Sequence, residues 1–132
     1  MTGIDTNVFV RYVTQDDPIQ SRFATEWIES HCTSKNPGWI NRIVLCELVW
    51  VLSRGYRYTK KDVTRLLDRI LETDSLEVES PDEVRRALHD YTNGDADFSD
   101  YLLVHTNLAK KVRSTITLDQ KAATHSGFLI LK

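Results

Sequence analysis

The apolar positions of the chain fall into short blocks whose spacing alternates between helical and extended. Residues 2–5 read as a first strand ending at Asp5. Residues 7–14 (NVFVRYVT) place Val8, Phe9, Tyr12 and Val13 at helical intervals. Asp16-Asp17-Pro18 combines an acidic N-cap with a proline in the first turn, which predicts a helix to about Ser30 with Phe23, Ala24, Trp27 and Ile28 on one face. Pro37-Gly38 interrupts the pattern, and Trp39-Ile40 form a short strand. Residues 43–54 are the most apolar segment and, by length, a buried helix that Gly55 ends. Thr59 with Asp62 is a capping box, Asp replacing the usual Glu or Gln, for a helix over 60–73. Its apolar face is Val63, Leu66, Leu67, Ile70 and Leu71. Leu76-Glu77-Val78 alternates as a strand, Pro81 opens a helix to about Tyr91, and Asn93-Gly94 marks a turn. Asp97 opens a helix through about Lys111, Ser114–Leu118 is a strand, Asp119–His125 a helical turn or two, and Phe128–Leu131 a final strand.

Short strands alternating with helices argue an α/β fold with a mainly parallel central sheet flanked by helices. Neither a repeat nor a linker interrupts the 132 residues, so one domain over 1–132 is expected. In such sheets, sites lie at the carboxyl ends of the strands. Asp5 and Asp119 each follow a strand directly.

Composition narrows the classes. With 5 Gly and 3 Pro the chain is neither collagen-like nor a Gly/Pro-rich disordered segment. The apolar run IVLCELVWVL is too short to span a bilayer and carries Glu47. The start, MTGIDTNVF, lacks the basic and apolar regions of a secretory signal, and Cys32 and Cys46 read as reduced thiols, so a cytoplasmic protein is expected. The net charge of −2 lacks the basic surplus usual in nucleic-acid binders.

The acids carry the candidate chemistry. Asp5, Asp97, Asp100 and Asp119 all stand at predicted helix starts, where each is either a cap or a ligand; Asp97 and Asp100 together resemble a capping box. Glu47 has apolar neighbours on both sides, and a carboxylate buried there would need a partner or a cation; the alternative is a Glu on a solvent-facing stripe. Taken jointly, these hard oxygen donors suit Mg²⁺ or Mn²⁺, which activate water and stabilise charge on a phosphodiester. Competing chemistries lack their signatures. The chain has no phosphate-cradling glycine loop and no nucleophile elbow. His31, His89, His105 and His125 show no zinc spacing, and Asn7 stands where an aspartyl-phosphate enzyme wants a second acid.

Four segments in order resemble the PIN domain, and within it the VapC-type toxin ribonucleases of toxin–antitoxin pairs: DTNVFVRY at 5–12, LCELVWVL at 45–52, GDADFSDYLL at 94–103 and TITLDQKAA at 115–123. The resemblance implies a PIN-like fold and a Mg²⁺- or Mn²⁺-dependent endoribonuclease. It places Asp5, Glu47, Asp100 and Asp119 on the family's acidic positions, Asp97 on an additional acid, Thr6 and Thr117 on hydroxyl positions near the metal, and Asn7 just after the Asp-Thr pair. It also implies a homodimer held inactive by a cognate antitoxin.

Setting aside the five acids Asp5, Glu47, Asp97, Asp100 and Asp119 leaves 14 acids against 17 bases. A mildly basic rim suits RNA, with Lys110, Lys111, Arg113, Arg11 and Arg42 as candidate phosphate ligands. Trp50, Tyr56 and Tyr58 are candidates to stack bases, whereas Trp27, Trp39 and Trp50 also fit a core. Two rivals to the toxin reading are an RNA-processing nuclease of the same fold without an antitoxin, and a non-catalytic RNA- or protein-binding module.

Overall fold

The computed structural model describes all 132 residues and divides into two compact units, Met1–Glu79 and Ser80–Lys132. In the first, β1 (Thr2–Gly3), α1 (Thr6–Thr14), α2 (Pro18–His31), β2 (Gly38–Ile40), α3 (Arg42–Gly55), α4 (Lys60–Glu72) and β3 (Leu76–Val78) follow one another. The strands form a parallel sheet in the order β1-β2-β3, with Gly3 opposite Trp39 and Trp39 opposite Glu77. Parallel neighbours need crossovers, which α1–α2 and α3–α4 supply. Phe9, Ile40, Leu45, Leu48, Leu52, Val63 and Leu67 are essentially inaccessible and form the core. Gly38 is required by packing rather than by a turn: a Cβ there would lie 2.6 Å from Ile4 Cδ1 and 2.9 Å from Cys32 Sγ.

The second unit contains α5 (Pro81–Asn93), α6 (Phe98–Ala109), β4 (Thr115–Thr117), a 3-10 turn (Ala122–Thr124) and β5 (Phe128–Ile130). Strands β4 and β5 pair in parallel with each other. α5 packs on α6, with the Tyr91 ring edge-on to Phe98, and Val84, Ala87, Leu88, Tyr101 and Val104 of these helices are buried. The fold class is therefore α/β with six helices and parallel strands only, in sheets of three and two strands.

Local signals placed most boundaries. The Thr59–Asp62 capping box forms in both directions, and Asp17 caps α2 by accepting from the Ile19 and Gln20 N–H groups. Elsewhere boundaries move. The first strand stops at Gly3, because Ile4 is buried and Asp5 is already the N-cap of α1. α6 ends at Ala109, and Lys111 takes a left-handed conformation at φ 63°. α3 is not buried all round: Ile43 and Trp50 are 69% and 60% exposed, and Glu47 between them is exposed as well. None of Trp27, Trp39 and Trp50 belongs to the buried core. No helix is long and apolar enough to cross a membrane.

Candidate active site

In the first unit the chain leaves β1, buries Ile4 and turns at Asp5 into α1. The Asp5 carboxylate accepts only the adjacent Thr6 N–H, at 2.7 Å through Oδ1. It does not reach the N–H groups of the next turn as Asp17 does in α2, and the residue is exposed. Thr6, 8% exposed, donates its hydroxyl to Glu47 Oε1 at 3.0 Å. This resolves the position of Glu47. The carboxylate is not buried among its apolar neighbours; it lies on an exposed stripe of α3 and is oriented by Thr6. Asn7 is exposed on the first turn of α1.

In the second unit Asp97, Asp100 and Asp119 lie close enough for their charges to interact. The Asp100 carboxyl is pushed up from its ordinary value, first by burial, then by the charges of Asp97 and Asp119; a backbone hydrogen bond with Asp97 works against the shift. Asp97 has the backbone of an N-cap, but its side chain bonds no helix N–H, so the capping-box reading of Asp97 and Asp100 is not realised from the Asp97 side. Asp119 does cap: Oδ1 accepts from Lys121 N at 2.8 Å and Ala122 N at 3.2 Å, while its own N–H goes to the Thr117 hydroxyl at 3.0 Å. Thr117 thus holds the Asp119 backbone, whereas Thr6 donates directly to the Glu47 carboxylate.

The basic candidates divide. Arg11 is committed to Asp16 at 3.0 Å and to Gln20 and the Tyr56 hydroxyl, and Arg42 faces Glu79, which also accepts its backbone N–H. Arg11 is thus held by hydrogen bonds within the fold, while the Arg42 guanidinium makes a long contact, 3.9 Å, to Glu79. Lys110, Lys111 and Arg113 are exposed. Tyr56 donates to Asp16, so of the proposed stacking residues only Trp50 stands out from the surface. Cys32 and Cys46 are free thiols, and burial pushes Cys46 up to about 11.

A separate cluster escaped sequence reasoning. Asp90, His105 and His125 of the second unit bring their ligand-type atoms within 4.8 Å of one another. The histidines lie 15 and 35 residues from Asp90, and no spacing rule connects them. They are distinct from the acids assigned above.

A divalent cation fits the acidic residues by their chemistry, since they are exclusively hard oxygen donors. Comparison with protein families matches residues 4–124 to the PIN domain. Neither a curated protein nor a solved structure matches the chain. The PIN domain is generally a nuclease fold acting on RNA. With 4–124 of 132 residues accounted for by one family model, the chain belongs to the PIN-domain family.

Proposed function

We propose that the protein is a Mg²⁺- or Mn²⁺-dependent endoribonuclease in which Asp5, Glu47, Asp100 and Asp119 are the metal-holding carboxylates and the two compact units, residues 1–132, work as one PIN-like nuclease domain. The observation that carries this reading is the raised Asp100 carboxyl facing the charges of Asp97 and Asp119. A bound cation would offset the like charges that add to the effect of burial on Asp100. When bound, the cation supplies Lewis-acid activation of water and offsets charge developing on the phosphodiester. The chain's own residues do the rest. Thr6 orients the Glu47 carboxylate, Thr117 accepts from the Asp119 backbone N–H, Asp97 adds negative charge beside Asp100, and Asn7 is an exposed amide at the start of α1. Lys110, Lys111 and Arg113 hold RNA phosphates.

The finer role we propose is that of the cytoplasmic toxin of a toxin–antitoxin pair, a homodimer restrained by its antitoxin. The VapC-like sequence segments support it. So do the exposed Ile19, Phe23, Ile43 and Trp50, apolar side chains of the kind a protein partner covers.

RNA cleavage in Mg²⁺ or Mn²⁺, with and without chelator, tests the nuclease reading. Wild type should cut only with metal, and Asp5→Asn or Asp100→Asn should lose at least ~10²-fold, since changes behind the ligands alone cost roughly 10–100-fold. Chelator-insensitive cleavage, or near-wild-type cleavage by both variants, would contradict it.

A further inference from the structure

Three elements of the second unit meet at one oxygen atom. Asp90 of α5 presents Oδ2 to His105 Nε2 of α6 at 2.5 Å and to His125 Nε2, just after the 3-10 turn, at 2.9 Å. The imidazole rings meet edge to face at 5.3 Å. The side chains are 25%, 13% and 15% exposed, so the cluster is largely withdrawn from water.

Two histidines and an aspartate have the chemistry of a metal site, but the protons are already assigned. The Gly127 backbone N–H donates to His125 Nδ1 at 2.9 Å, so Nδ1 is the acceptor and the ring proton sits on Nε2, aimed at Asp90. A histidine ligating through Nε2 needs the opposite tautomer. The His125 separation is an ordinary hydrogen-bond length, and the His105 separation is shorter than one. Burial opposes the Asp90 charge, yet the bonds from both histidines outweigh it and hold the carboxyl below its usual range. The acceptor is an ionised carboxylate receiving two N–H donors.

The path from this cluster leads to the acids. His105 and Asp100 share α6, five residues or roughly 7.5 Å of rigid helix apart. His125 closes a short chain of bonds back to Asp119: its N–H goes to Ala122 O at 3.0 Å, and the Ala123 N–H goes to Asp119 O at 3.0 Å. Ala122 between them is fully buried. Gly127 permits the arrangement, because a Cβ there would lie 2.3 Å from Val104 of α6 and 3.3 Å from His125 Nδ1.

We propose that Asp90, His105 and His125 form a proton-held clamp that fixes the Asp119 loop against α6 and thereby sets the separation of Asp100 and Asp119. All three are positioning residues. The geometry stands alone; only the consequence for catalysis rests on the nuclease reading above.

The test is a double-mutant cycle read by carboxyl-carbon NMR titration of metal-free protein. In wild type, Asp119→Asn should lower the titration midpoint of Asp100, because it removes a neighbouring charge. His125→Asn keeps an acceptor for Gly127 but cannot reach Asp90; in that background the Asp119→Asn shift should fall by at least about half. His125→Gln, long enough to return an N–H to Asp90, should restore it. His105→Leu breaks the clamp from the helix side and repeats the test if His125→Asn folds poorly. An undiminished Asp119→Asn shift in the broken-clamp variants would overturn the proposal. So would stoichiometric Zn²⁺ binding that survives Asp100→Asn and disappears in His125→Gln. In active enzyme, His125→Asn should lower kcat by roughly 10-fold or more with KM for RNA unchanged, and His125→Gln should recover it; unaltered kcat in His125→Asn would also count against the clamp. If wild type cuts no RNA, the nuclease reading fails while the titration cycle still decides on the clamp.

Discussion

The Thr6 hydroxyl donates to Glu47 Oε1 across 41 residues of sequence and ties the first turn of α1 to the exposed face of α3. The bond engages one carboxylate oxygen of an exposed Glu47 whose sequence neighbours are mostly apolar. Thr6→Val keeps the β-branched shape and removes the donor. Cleavage should fall roughly 10–100-fold, as for other groups that orient a ligand. Stability should change by about 1 kcal/mol or less, because the exposed Glu47 regains water. Thr6→Ser should retain most activity. Equal activity of Val and Ser variants in a metal-dependent assay would remove the hydroxyl from the account.

Lys110 and Lys111 follow the end of α6 on exposed backbone, and neither forms a salt bridge with an acid. Replacing both with Ala should weaken RNA binding and flatten its salt dependence, by roughly 0.7 in log–log slope for each phosphate that is no longer neutralised. Single-turnover cleavage at saturating RNA should hardly change. Binding isotherms at several salt concentrations check this, and an unchanged slope would make the pair an ordinary solvated face.

A second cross-link in the first unit has a pH signature. Asp16 sits near pKa 2, held there first by the Tyr56 hydroxyl, then by Thr14, with Arg11 adding to the effect. A carboxyl depressed in the folded state contributes stability above its unfolded value, and that stability is lost as pH falls through the folded one. The loss therefore falls between about pH 4 and pH 2. Tyr56→Phe should shift the Asp16 titration upward and bring the acid limb of a pH–stability curve to higher pH. Superimposable curves for wild type and variant would show that the hydroxyl does not govern Asp16.

What sequence could reveal follows the range of each interaction. The Thr59–Asp62 box and the Asp17 cap involve neighbours three residues apart, and both formed as read. Asp5 and Asp97 stand at helix starts as expected, but only side-chain geometry shows that Asp5 takes one adjacent N–H and Asp97 none. The exposure of Glu47 depends on what covers α3, a tertiary fact invisible in its apolar flanks. The same holds for Arg42 and for one of the partners of Arg11, since Glu79 and Tyr56 lie 37 and 45 residues away. His105 and His125 looked like isolated histidines because the fold, not a motif, brings them to Asp90.

The measurement closest to the central claim is thermal unfolding of wild type and Asp100→Asn, each in chelator and in Mn²⁺. The raised Asp100 carboxyl means that its ionisation opposes folding: stability is full below the unfolded pKa and is lost as pH rises through the folded one. At neutral pH in chelator, Asp100→Asn should therefore melt higher than wild type, by roughly 1–3 °C given solvent screening of a half-exposed group. The advantage should vanish at a pH low enough to protonate Asp100. Mn²⁺ should raise the wild-type melting temperature through binding linkage and move the variant less. A lower melting temperature for Asp100→Asn in chelator, together with an equal Mn²⁺ response in both proteins, would show that Asp100 serves the helix rather than a cation and would contradict the account.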